Sequence, residues 1–149
     1  MKESEQKNHP HLVMLDEFDG EMDGELKYNK VLYKYRYNAE EVDDDDWAFT
    51  REQWGPTDPG FTSIMSSMAD LGLSEEEDSE PMHIFRLTSK GRDVASGIKR
   101  GVAKLDPRYS SKLSTIRAIA EIDKDRSGSE IEEDEEIQEA KEETYQSKV

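Results

Sequence analysis

The chain is 149 residues long, carries a formal net charge of −16 and has no cysteine, which excludes disulfides, thiolate metal sites and a cysteine nucleophile. Only 33% of it is hydrophobic, so one modest core is expected, lying between Leu12 and Ile122. No apolar run approaches a membrane span and the N-terminus has no signal-peptide core, so the expected setting is the cytoplasm, away from any membrane.

Residues 1–9 are polar and are expected to be flexible. Leu12, Leu15, Phe18 and Met22 suggest a first helix, interrupted by the turn formers Asp19-Gly20 and Asp23-Gly24. Leu26, Tyr28, Val31, Leu32 and Tyr35 suggest a second, with Lys27, Lys30, Lys34 and Arg36 interleaved. The run Glu40 to Asp46 reads as a loop, because four consecutive aspartates repel one another and favour solvent. Trp47, Phe49 and Arg51 alternate with polar residues, and Trp54-Gly55-Pro56 and Asp58-Pro59-Gly60 mark tight turns.

Phe61, Ile64, Met65, Met68 and Leu71 then recur at spacings of three and four, which predicts an amphipathic helix burying those five. Its other face carries Thr62, Ser63, Ser66 and Ser67, and Gly72 can close it with a left-handed C-cap. Ser74 to Pro81 reads as an acidic polar loop, followed by the strand-like run His83 to Leu87. Thr88 is placed to cap a further helix with Lys90-Gly91-Arg92 in its first turn and a stripe of Val94, Ile98 and Val102. Asp106-Pro107 reads as an N-cap with proline at the first helical position, opening a helix whose apolar face is Leu113, Ile116 and Ala120. Ser127-Gly128-Ser129 breaks that helix, and the acidic tail of residues 127–149 is expected to be disordered.

Charge is segregated. Residues 1–82 hold 22 acids against 7 bases, residues 83–126 hold 5 against 11, and residues 127–149 hold 9 against 2. A basic island inside an acidic chain is more informative than the net charge. The acidic excess in the loops resembles the surfaces of haloarchaeal proteins.

Trp54-Gly55-Pro56, the helix end Met68-Ala69-Asp70-Leu71-Gly72-Leu73, and Phe85-Arg86-Leu87-Thr88-Ser89-Lys90-Gly91-Arg92 together resemble archaeal winged-helix proteins related to the PadR and MarR groups. Gly24 to Tyr33 is similar to the second helix of that group, and the resemblance covers roughly residues 10 to 123. It implies a mainly α fold with a small β-wing and C-terminal helices, a winged helix-turn-helix occupying residues 10–126. It also implies a DNA-binding transcriptional regulator, a homodimer acting sterically at a two-fold operator on double-stranded DNA. The residues expected at DNA are Arg51, Thr62, Ser63, Ser66, Ser67, Arg86, Lys90 and Arg92, with Lys99, Arg100 and Lys104 adding positive charge. The expected dimerisation residues are Val94, Ile98, Val102, Leu113, Ile116 and Ala120, with intramolecular core as the second reading of the same residues.

A second reading stays open. The helix at 61–71 has no Lys or Arg, the commonest readers of guanine, and Glu75-Glu76-Glu77-Asp78 at the wing repels phosphates. An adaptor or antitoxin-like module on the same fold, binding a protein partner without direct DNA contact, fits those two features.

Catalysis has no support, since the three histidines fall outside any catalytic pattern and no nucleophile elbow or phosphate loop is present. No cofactor is expected. Asp123 to Gly128 matches the start of a calcium loop, but Glu130 and Asp134 stand where an apolar residue and a bidentate Glu belong, so no metal site is expected either.

Overall fold

The computed structural model of the protein describes residues 1–79 and 82–149, and it is mainly helical with a small antiparallel sheet. Two short N-terminal helices, α1 (Glu3–Gln6) and α2 (Pro10–Glu17), lead through the left-handed pair Asp19 and Gly20 into strand β1 (Glu21–Asp23). Helix α3 (Glu25–Asn38) follows, then a hairpin of β2 (Thr50–Glu52) and β3 (Gly55–Thr57). Helix α4 (Phe61–Asp70), strands β4 (Ser74–Ser79) and β5 (Met82–Leu87), and helix α5 (Ser89–Leu105) come next. The chain ends with α6 (Tyr109–Asp123), α7 (Gly128–Glu132) and α8 (Glu135–Lys141). The three-stranded sheet has the order β1-β5-β4, with Met22 opposite Phe85 and Glu75 opposite Arg86. No helix among the described residues is long and apolar enough to cross a membrane.

Local chemistry explains where α4 and α5 begin and end. Asp58 accepts the Gly60 N–H at 2.8 Å on its side chain, and its carbonyl accepts from Phe61, so the Asp-Pro-Gly turn starts α4. Gly72 takes a positive φ and the Leu73 N–H reaches back to the Met68 carbonyl, which satisfies an otherwise orphaned helix end. Thr88 caps α5 by accepting from the Gly91 N–H at 3.0 Å. Gly91 admits no side chain, because a Cβ there would lie 1.9 Å from the Leu73 carbonyl oxygen.

The core is aromatic. Phe61, Tyr28 and Phe85 meet edge to face, while His11, Trp47 and Phe49 stack in series. Such pairs add to area burial because ring edges and faces carry opposite partial charge. Neither ring nitrogen of His11 finds a hydrogen-bond partner among the described residues, and burial lowers the pKa of its imidazole to about 3.

Several sequence-based expectations are corrected. Met22 lies in β1 rather than in the first helix, since the Asp19-Gly20 turn ends that helix and sends its neighbours to the sheet. Ser74 to Ser79 is a strand, not a loop, because its backbone pairs along β5; Glu80 and Pro81, the rest of that loop, lie outside the described residues. The helix after Asp106-Pro107 begins at Tyr109, the Asp106 carboxylate instead accepting from the Arg108 N–H in a local turn. The N-terminus is held rather than flexible: Glu5 is buried against the Tyr35 hydroxyl at 2.7 Å and the Lys112 ammonium at 3.2 Å.

The largest correction concerns the tail. It is folded against the body, with Ile131, Ile137 and Ala140 buried and Ser127 opening α7 in a capping box with Glu130. Its last residues extend β2, where Arg51 and Phe49 exchange backbone bonds with residues 146–149. Three apolar residues spaced through an acidic segment are enough to dock it once the body offers complementary cations.

Candidate functional site

The surface expected to meet a partner is built on α4. Phe61, Met65 and Met68 anchor it to the core, and Thr62, Ser63, Ser66 and Ser67 face solvent as their spacing requires. Leu71 departs from expectation: it is exposed, because the helix closes at Gly72 before its side chain turns inward. The Ser67 hydroxyl donates to the Ser63 carbonyl at 3.0 Å, four residues back along the same helix.

Strand β4 packs beside α4 and brings the acidic run with it. Glu76 pairs with His83 at 3.0 Å. Arg86, expected at DNA, is held between two carboxylates, bonded to Glu77 across the hairpin and to Glu21 of β1 at 3.2 Å. The register explains this, since Arg86 lies opposite Glu21 on one side and opposite Glu75 on the other, which makes Glu77, two residues along β4, its diagonal neighbour. Neither glutamate was foreseen as its partner, because β1 is too short for its alternation to be read.

The remaining expected cations separate. The Lys90 ammonium donates to the Leu71 carbonyl at 2.7 Å, so it caps α4. Arg51 turns to the tail, its guanidinium donating to the Lys141 carbonyl at 3.3 Å and lying over the Tyr145 ring. Lys99 pairs with Asp16 at 2.6 Å and Glu17 at 2.9 Å. Burial alone would raise the Glu17 carboxyl, but Lys99 and Arg117 outweigh it and hold it below the usual range. Arg92, Arg100 and Lys104 stay exposed and make no ion pair among the described residues.

The basic face of α3 is covered. Lys27 and Lys30 donate to the carbonyls of Lys124 and Gly128, and the Arg36 guanidinium to the last residue, Val149. The Lys34 ammonium sits between Asp123 and Asp134, 2.7 Å from each. Burial opposes its charge, but the two carboxylates outweigh it and hold its pKa above the ordinary value. Arg126 bridges the same two acids at 2.8 Å and, through its hydrogen bonds, holds the Asp134 pKa down to about 2. Of the stretch that matched a calcium loop, Asp123 and Asp134 therefore spend their carboxylates on cations of the chain.

Of the expected dimerisation residues, Leu113, Ile116 and Ala120 are buried within the single chain, where α6 packs on α2 and α3. They serve its interior, which corrects their assignment to an interface. Ile98 and Val102 are half-buried against the core, and Val94 reaches solvent. No protein-family model, curated protein or solved structure matches this chain.

Proposed function

We propose that this chain is a winged helix-turn-helix protein that works as an interaction module, recognising another protein rather than gripping DNA through its phosphates. The order α2-β1-α3-α4-β4-β5-α5, interrupted between α3 and α4 by the β2-β3 hairpin, and the sheet order β1-β5-β4 support the winged-helix reading, with α4 as the exposed second helix and β4-β5 as the wing. One observation carries the functional choice. The wing beside α4 presents Glu75, Glu76, Glu77 and Asp78, and its one arginine is neutralised by Glu77 and Glu21. Phosphate contacts supply most of the affinity of DNA-binding proteins, and carboxylates in that position repel them.

A second reading is a regulator that meets DNA through the hydroxyl face of α4, with Arg92, Arg100 and Lys104 reaching the backbone. The exposure of Thr62, Ser63, Ser66 and Ser67 favours it, since small hydroxyl residues permit a close approach to a groove. A gel shift over genomic fragments in a salt series separates the two. The interaction-module reading expects no retarded band even at low salt, where counterion release is most favourable. A fragment-specific shift that disappears in a Ser63→Glu/Ser67→Glu variant would establish the second reading instead.

A further inference from the structure

One cavity differs in chemistry from the charged surface around it. Helices α4 and α5 are tied together where the Lys90 ammonium reaches the Leu71 carbonyl and the Thr88 hydroxyl reaches the Gly72 carbonyl. Beside that tie an apolar cavity of about 510 Å³ opens between α2, α4 and α5, walled by Leu12, Ile64, Met68, Leu73, Val94 and Ile98. Its volume falls within the roughly 300–1,000 Å³ of small-molecule sites. In a chain of which 38% is charged, this wall contains no Asp, Glu, Lys or Arg side chain.

The polar part of the wall has one member without a partner. The Ser67 hydroxyl donates to the Ser63 carbonyl and the Gln6 amide to the Met1 carbonyl, while Ser63 and His9 are exposed to water. His11 is only 2% exposed, and neither of its ring nitrogens has a hydrogen-bond partner among the described residues. Burial, with the α-ammonium of Met1 nearby, keeps this imidazole neutral, so it holds one N–H and one lone pair, both unmet. Such orphaned groups are costly, and solvent does not reach these two, so a molecule entering the cavity is what would satisfy them.

These features select a ligand class. A charged ligand would lose its hydration to a wall without a countercharged side chain. A pure hydrocarbon would leave His11 unmet. A hydroxyl both donates and accepts, as the neutral imidazole does. We propose that the cavity binds a small uncharged molecule with an apolar body and a hydroxyl, the body against Ile64, Met68 and Ile98 and the hydroxyl at His11. The assignment holds for either reading of α4, and its test uses neither a protein partner nor DNA.

Isothermal titration calorimetry of the full chain with n-decanol, below its solubility limit, should show one saturable site. Decanoate, the same chain ending in a carboxylate, should bind at least about tenfold more weakly. Val94→Trp fills the mouth of the cavity from an exposed position and should abolish the decanol site with unchanged circular dichroism. His11→Phe keeps a ring in the wall and removes both nitrogens, so it should weaken decanol about tenfold without loss of melting temperature at neutral pH. No saturable decanol binding would overturn the site, as would binding that Val94→Trp leaves intact. Decanoate as tight as decanol would overturn the uncharged class, and a decanol affinity untouched by His11→Phe would overturn the hydroxyl contact.

Discussion

His11 shows what a single residue contributes here. Its imidazole is buried among Trp47, Tyr28 and Phe61, and neither nitrogen is hydrogen-bonded among the described residues. Its folded pKa of about 3 lies far below the ordinary histidine value of 6.5, so the folded state binds no proton there when the unfolded chain does. The corresponding stability is fully present above about pH 6.5 and is lost as pH falls from there toward 3, at about 1.4 kcal/mol per pH unit. We predict that His11→Phe flattens the melting temperature between pH 6.5 and 4 and leaves the pH 7 value unchanged or higher. A variant whose acid sensitivity equals that of the parent would place the titrating group elsewhere. Lys34 makes the opposite point, for it answers the buried Asp123 as well as Asp134. Removing one partner of a buried pair leaves an uncompensated charge, so Lys34→Met should cost about 3 kcal/mol in urea unfolding. A cost near zero would mean that Arg126 alone satisfies Asp123.

At the scale of elements, the tail is where the sequence misleads. Glu130 to Glu143 reads as solvated because charge dominates any window, and Ile131, Ile137 and Ala140 are too sparse to announce a face. Their burial depends on cations of α3 that are far away in sequence and that read, taken alone, as a free basic surface. Long-range pairing of this kind leaves no local signal. The elements that were legible are those with local causes: the α4 period, the Gly72 turn, the Thr88 cap and the α3 aromatic face. Exposure of Thr62, Ser63, Ser66 and Ser67 was legible too, because a helix period fixes both faces at once. The fate of Arg86 was not, since it depends on strand register. We predict that Ile137→Ala destabilises the protein by about 2–5 kcal/mol, as for a fully buried side chain. Removing residues 128–149 should lower the melting temperature strongly and expose the α3 lysines to trypsin. A truncated chain that melts like the parent would contradict the packing described for α7 and α8.

Across the whole molecule, charge is arranged to consume its own cations. The C-terminal segment covers α3, Glu21 and Glu77 hold Arg86, and among the described residues of α5 Arg92, Arg100 and Lys104 stay exposed without an ion pair. The interaction-module reading rests on that arrangement, because an acidic wing leaves the exposed helix without phosphate-binding neighbours. If the wing acids are what withholds DNA, removing them should release Arg86 and create affinity. The most direct measurement is the anisotropy of a labelled duplex, titrated at low salt with the wild type and with a Glu75→Gln/Glu76→Gln/Glu77→Gln variant. The proposal predicts no saturable binding by the wild type and weak, salt-sensitive binding by the variant. Saturable binding by the wild type, weakening steeply with added salt, would contradict it.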